Sequence, residues 1–271
     1  MAMTTDAQTY AFKNAVGGQR ERLRTLELLF DPGTIGCLEA RGVGRNWRCA
    51  EVGAGGGSIA AWLCDRVAPE GSVLATDLDT TVLRELAHPN LEVRVHDLLS
   101  DNLPEGEFDL VHLRLVLAWL GDPRPVLPRL VKALKPGGWI VAEELDFVSA
   151  VADPRMEPGA SALFDRAMQE HCAVLAARHR FDPFYGRRLP GDLAGAGLVA
   201  VGCEGRTTMW RGGEAGGRLW GLTLAQLREP MIAAGHLTAD EIDEAIALCF
   251  DPRLSALGPL MMAAWGRRAA A

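Results

Sequence analysis

Residues Cys49 to Ser58, reading C-A-E-V-G-A-G-G-G-S, carry the densest chemical signal in the chain, with four glycines among the five positions 53–57. Glycine permits sharp turns and leaves the backbone bare, so a ligand can lie directly against it. The first amides of a following helix are unpaired donors that suit anionic and polar groups. A plain strand-to-helix turn needs only one or two glycines, and this run exceeds that need. Elsewhere reactive side chains are sparse: six histidines, two tyrosines and six cysteines. The cysteines (37, 49, 64, 172, 203 and 249) are scattered and include no C-x-x-C pair, which reads as free thiols and not as a zinc site or disulfide framework.

The elements that must position the glycine run follow from its flanks. Short apolar runs at Arg48–Val52, Ser72–Asp77, Leu91–His96, Phe108–Leu113 and Trp139–Glu144 read as strands. Helical patterns lie between them at Ser58–Val67, Thr80–Ala87 and Arg124–Leu134. Strands alternating with helices argue for βαβ units and a parallel sheet covered on both faces. Upstream, residues 1–46 read as an amphipathic helical segment marked by Leu23, Leu26, Leu29 and Phe30, with Asp31-Pro32-Gly33 expected to stop the helix. Downstream the rhythm breaks. Residues 156–180 read as a helix, Gly191–Ala196 as another, Leu198–Arg206 as a strand, 214–249 as helical and Leu257–Gly266 as a closing strand. The expected organisation is a helical cap segment at 1–46, a binding core at 47–149, a helical cap insertion at 150–186, and the end of the sheet at 187–271 with a second helical insertion near 213–250.

Composition narrows the partners. The 271 residues are 48% hydrophobic and 23% charged with a net charge of −7, which excludes disorder and a pervasive basic face for nucleic acid, although Arg187-Arg188 is a local basic pair. Met1–Val16 lacks the apolar middle of a signal peptide, and the longest apolar stretch, Leu110–Leu120, is interrupted by His112 and Arg114. A cytoplasmic protein with neither a nucleic-acid nor a membrane partner is expected, and the sequence leaves a homodimer open.

Two cofactor classes suit a glycine-rich βα turn. The dinucleotide fingerprint G-x-G-x-x-G would place its third small residue at Ser58, whereas E-x-G-x-G-x-G fits through Glu51, Gly53, Gly55 and Gly57. In that form the segment resembles the first motif of the class I S-adenosylmethionine-dependent methyltransferases. Asp77 ends the second strand twenty residues after Gly57, where a carboxylate can accept from both ribose hydroxyls. Three later segments extend the resemblance: V-H-D-L at 95–98, F-D-L-V-H-L-R at 108–114, and L-K-P-G-G-W-I-V-A-E-E at 134–144. It is close over 48–146 and looser over 189–206 and 257–267.

The resemblance implies an α/β fold, a Rossmann-like seven-stranded methyltransferase sheet that is mostly parallel with its last strand antiparallel, carrying helical cap insertions. It implies S-adenosyl-L-methionine as cofactor and methyl transfer to a small acceptor. It implies cofactor contacts from Glu51, Gly53, Gly55, Gly57, Asp77, Leu78, Asp97, Leu98 and Arg114, with Asp97 near the adenine amino group and Arg114 near the methionine portion. A nicotinamide-dependent oxidoreductase and a non-catalytic cofactor-binding protein of the same fold stand as alternatives.

A general base is needed only for an acceptor that is protonated at neutral pH. His171 falls on the apolar stripe of the 156–180 helix with Leu163, Phe164, Ala167, Met168, Val174 and Leu175; it is the candidate base, set against the reading of a packed core histidine. His112 and Arg114 share one side of the fourth strand, and His112 reads equally as an acceptor contact or a packed histidine. Tyr185 is a further candidate acceptor contact in a cap rich in bulky apolar residues, which points to a partly hydrophobic acceptor. Glu143, Glu144 and Asp146 end the fifth strand and read as solvated carboxylates, so no metal is expected.

Overall fold

The computed structural model describes residues 18–270. In chain order the elements are α1 (Gln19–Ala40), β1 (Arg48–Val52), α2 (Ser58–Val67), β2 (Ser72–Asp77), β3 (Leu91–Val95), β4 (Phe108–Arg114), α3 (Leu127–Ala133) and β5 (Leu134–Asp146). There follow β6 (Val151–Ala152), α4 (Pro158–His179), α5 (Leu189–Gly195), β7 (Val199–Arg206), β8 (Met209–Arg211), α6 (Ala215–Gln226), α7 (Arg228–Ala234), α8 (Ala239–Leu248), β9 (Ser255–Leu257) and β10 (Leu260–Arg267). Of the described residues, 30–146, 184–206 and 261–270 form one compact unit, and 18–29, 147–183 and 207–260 form another.

The first unit is built on a seven-stranded sheet in the order β3-β2-β1-β4-β5-β10-β7. The pairs β1·β2, β2·β3, β1·β4 and β4·β5 are parallel, and β10 runs antiparallel to β7. This is the expected α/β architecture with its antiparallel last strand. Sequence order reverses between β1 and β4, so the crevice at their carboxyl ends is the topological switch point where open α/β sheets bind ligands. The core beside β1 is apolar: Ile59, Leu63, Cys64 and Val67 of α2 and Cys37 and Leu38 of α1 join Cys49, Val73 and Ala75 from the sheet. All six cysteines are free, and only Cys203 is exposed.

The second unit is mostly helical. Helices α4, α6, α7 and α8 accompany a three-stranded sheet ordered β6-β9-β8, which the sequence pattern did not reveal because its strands are two or three residues long. Among the described residues, no helix is long and apolar enough to cross a membrane.

Two local expectations need correction. The helix α1 does not stop at Asp31-Pro32-Gly33 but runs on to Ala40. Proline removes one helical N–H, yet the following turn is tied to the sheet: Arg114 pairs with Asp31 at 2.8 Å, and the Arg206 guanidinium donates to the Gly33 carbonyl at 2.7 Å. These contacts and burial of Cys37 and Leu38 outweigh the local breaker, and residues 30–40 belong with the sheet. The stretch Thr80–Ala87 forms only a short 3-10 turn at Leu83–Glu85, with Leu83 its buried side chain.

Candidate functional site

The glycine loop leaves β1 at Val52 and enters α2 at Ser58, with Gly53, Gly55 and Gly57 at φ of 69°, 55° and 89°. This left-handed region strongly disfavours side chains. At Gly53 a Cβ would stand 2.4 Å from Val116 Cγ2, and at Gly57 one would stand 2.6 Å from Leu86 Cδ1. The amides of Gly53 and Ala54 both donate to the Thr76 carbonyl, at 2.8 and 2.9 Å, so the loop is pinned to the end of β2. One residue further, the Gly55 N–H donates to Asp77 Oδ2 at 2.9 Å. Asp77 also accepts from the Asp79 N–H at 3.2 Å; burial raises its pKa against the pull of these amides.

The ends of β2 and β3 continue this edge. The His96 N–H donates to the Asp77 carbonyl at 3.0 Å, bringing Asp97 into the turn just beyond β3. There Asp97 accepts from the Leu99 N–H at 2.9 Å, Leu98 is buried, and Leu78 is 60% exposed. The edge thus presents a carboxylate, an exposed apolar side chain and a second carboxylate beside bare glycine backbone. A nucleoside needs this set: acceptors for hydroxyl and amino donors, and an apolar face for its base. The first turn of α2 has no side-chain cap, so its leading amides remain donors.

Beneath the loop, β1, β4 and β5 carry a buried charge network. In register, Glu51 stands opposite His112, and Arg114 opposite Glu143. His112 Nδ1 meets Glu51 Oε2 at 2.6 Å, and Nε2 meets Glu143 Oε2 at 3.4 Å. Thr34 and Arg206 both donate to Glu143. Burial alone would depress the His112 pKa, but Glu51 and Glu143 overcome it and lift the value to about 9. Burial would raise that of Glu143, and its bonds from His112 and Thr34, with the nearby Arg114 charge, bring it below the ordinary carboxylate range. His112 is therefore an imidazolium clamped between two carboxylates.

The other predicted residues fall as follows. Glu51 lies under the loop, 3% exposed, with its carboxylate on His112 and away from the exposed edge. His112 is fully buried with both nitrogens engaged, the arrangement of a packed histidine. Arg114 is held by Asp31 and by Thr34 Oγ1 at 2.9 Å. Tyr185 is 1% exposed, and its hydroxyl donates to Asp192 at 3.1 Å. His171 lies in the helical unit, 1% exposed, with Phe147 and Trp220 at ring distances of 5.1 and 5.9 Å; burial lowers its pKa to about 4.

The carboxylates ending β5 require correction. Glu143, Glu144 and Asp146 are not solvated but 0%, 1% and 1% exposed. Each has its own cover: Thr34 and Arg206 over Glu143, the backbone of residues 116–117 over Glu144, and a bidentate Arg187 at 2.5 and 2.7 Å over Asp146. Thr34, Arg206 and Val116 escape the sequence reading, and in it Asp31 reads only as part of a helix stop. Their partners lie far along the chain, Thr34 from Glu143 by 109 residues, and no spacing rule links them.

Residues 50–142 match a family described as a methyltransferase domain. Among curated proteins the chain is similar to methyltransferase str3 of Strobilurus tenacellus, 29% identical over 161 residues, covering 58% of this chain and 55% of that protein. It is also similar to the trans-aconitate 2-methyltransferase of Methylobacterium nodulans, 33% identical over 101 residues, covering 36% of this chain and 38% of that one. The chain spans about half the length of the curated relatives it matches first. Among solved structures, a putative methyltransferase from Bacillus halodurans superposes with a TM-score of 0.53 at 16% identity, covering 86% of this chain and 97% of that chain. The Haemonchus contortus phosphoethanolamine N-methyltransferase 2 with S-adenosyl-L-methionine gives 0.50 at 15% identity, covering 97% and 56%. At these identities the structural likeness is one of fold.

Proposed function

Because residues 50–142 match a methyltransferase domain family, we propose that the chain is a class I S-adenosylmethionine-dependent methyltransferase that moves a methyl group to a small, partly hydrophobic acceptor by in-line displacement. The observation that carries this reading is the junction of the glycine loop with Asp77: three left-handed glycines, an amide on the carboxylate, and a loop that leaves β1 beside the switch point of the sheet. In this reading Asp77 accepts from the ribose hydroxyls, Leu78 packs on the adenine, Asp97 faces its amino group, and the loop amides receive the polar end of the ligand. When bound, S-adenosylmethionine supplies a sulfonium methyl, an electrophile that asks the protein mainly to align a nucleophile and exclude water.

Glu51, His112 and Glu143 are assigned to holding the strand ends beneath the loop, not to the acceptor. For an acceptor that must lose a proton, His171 is the candidate base. With its pKa lowered to about 4 by burial, it is neutral at pH 7 and able to accept. The rate should then fall with acidity only near that value, not near the ~6.5 of an ordinary histidine. If His171 is the base, His171→Gln lowers turnover by roughly 10²–10⁴-fold at unchanged cofactor affinity. If it only packs the helical unit, the variant loses thermal stability and each folded molecule keeps its rate.

Calorimetry with S-adenosylhomocysteine and, separately, NAD(P)⁺ tests the cofactor. Micromolar affinity for the first and none for the second supports the proposal; the reverse overturns it in favour of an oxidoreductase. Incubation of the protein with labelled S-adenosylmethionine and a metabolite extract tests the acceptor. Label found only on macromolecules overturns the small-molecule assignment.

A further inference from the structure

The carboxyl of Glu144 sits where stability alone would favour an apolar side chain. It is 1% exposed in the longest strand of the sheet, and burial pushes its pKa up to about 8. Its Oε2 has no hydrogen-bond partner. A buried polar atom without a partner is costly, and an apolar residue of similar size avoids that cost. What the carboxyl does is concentrated in Oε1, which accepts from the Val116 N–H at 2.9 Å and the Leu117 N–H at 2.5 Å.

These two bonds hold a loop that would not otherwise rest in its conformation. After β4 the chain turns through Leu115 at φ 60°, a left-handed conformation in a non-glycine residue. Such strain persists only where surrounding contacts over-determine it. Here the Leu115 N–H donates to the Glu143 carbonyl at 2.8 Å, and Glu144 takes the next two amides. Three successive amides are therefore threaded across the end of β5. The outcome is the seat of Val116, whose Cγ2 stands 2.4 Å from where a Cβ on Gly53 would be. Val116 is thus the wall against which the first glycine of the loop closes, and this wall adds to the left-handed φ of 69° in requiring glycine at position 53.

We infer that Glu144 is a positioning residue for the cofactor: by holding the amides of residues 116 and 117 it presses Val116 against Gly53 and sets the path of the glycine loop. The inference rests on the reading that this loop holds S-adenosylmethionine. Glu144 touches no ligand in this role and acts through Val116. A small displacement of a loop that must match its ligand by backbone contact is costly for affinity.

The test compares Glu144→Leu, Glu144→Gln and Val116→Ala by titration with S-adenosylhomocysteine, with thermal melts on the same samples. Glu144→Leu should raise Kd by about tenfold or more. Glu144→Gln keeps an oxygen that accepts both amides and should bind within about threefold of the parent. Val116→Ala keeps Glu144 but removes the wall, and should weaken binding severalfold without loss of the fold. Equal affinity in the parent, Glu144→Leu and Val116→Ala, whatever their melting temperatures, overturns the inference and leaves Glu144 a structural group. If Glu144→Leu fails to fold, the Val116→Ala titration decides alone. A parent protein that does not bind S-adenosylhomocysteine overturns the cofactor reading and this inference with it, whereas a parent that binds beside indifferent variants overturns only the inference.

Discussion

The two halves of the sheet's carboxyl edge are built by different means. On the β1–β2–β3 side, glycine conformations and backbone amides do the work: the loop is pinned by Thr76, and Asp77 accepts from Gly55. On the β4–β5 side, buried side chains do it: His112, Glu143, Thr34 and Arg206 form one network that reaches Glu51 on β1, and Glu144 holds the adjoining loop. The first half is open to a ligand and has an exposed apolar residue at Leu78. The second is closed, and its charges satisfy one another. A binding edge can be shaped by backbone alone provided that a rigid, internally neutralised neighbour fixes where that backbone runs.

The largest expected effect falls where the halves touch. Gly53→Val places a branched side chain at φ 69° and into Val116, so S-adenosylhomocysteine binding should become undetectable by calorimetry, with a stability loss of roughly 2–4 kcal/mol in urea unfolding. Normal binding by this variant would mean that the halves are independent.

Next comes the buried network. His112→Leu leaves two carboxylates facing each other without their cation and should cost about 3–5 kcal/mol by urea unfolding. Adding Glu143→Gln to that variant removes one of the stranded charges and should return part of the loss. The network also sets a pH dependence. The His112 pKa rises from 6.5 to about 9 on folding, so its contribution is complete below pH 6.5 and is lost as pH rises through 9. That of Glu144 rises from 4.5 to about 8, and its contribution fades in the same direction between those values. The urea midpoint of the parent protein should therefore decline from pH 6.5 to 9, and a flat or rising profile contradicts the charge states assigned here.

On the open half, if Asp77 accepts from the ribose as proposed, Asp77→Ala removes charge-assisted hydrogen bonds of about 1.5–3 kcal/mol. S-adenosylhomocysteine affinity should then fall roughly ten- to a hundredfold. Stability should change far less than in His112→Leu, which is the sharpest contrast between the halves. The smallest effect on affinity belongs to Thr34→Val: loss of its hydrogen bond to Glu143 and of the one it accepts from Arg114 should cost about 1.5–3 kcal/mol in unfolding and leave affinity for S-adenosylhomocysteine unchanged.

What the sequence by itself determined was whatever depends on near neighbours in the chain. The glycine run, Asp77, the alternation of strands with helices and the closing strand could be read because turn chemistry and strand periodicity operate over a few residues, and because adjacent parallel strands bring Gly55 and Asp77 together once β1 and β2 pair. The antiparallel direction of the closing strand came only from the family resemblance. The tertiary structure alone decided the rest. Pro32 reads locally as a helix stop, but the helix continues because Asp31 and Gly33 find Arg114 and Arg206 on the sheet. The strand-end carboxylates Glu143, Glu144 and Asp146 read locally as solvated, yet each is buried beneath a partner from elsewhere in the chain. His112 could be packed or acceptor-facing on sequence alone; the register opposite Glu51 made it an ion-pair centre. Burial and long-range electrostatics depend on which strands become neighbours, and the order β2-β1-β4-β5 sets residues 51, 112 and 143 side by side when nothing in their spacing does.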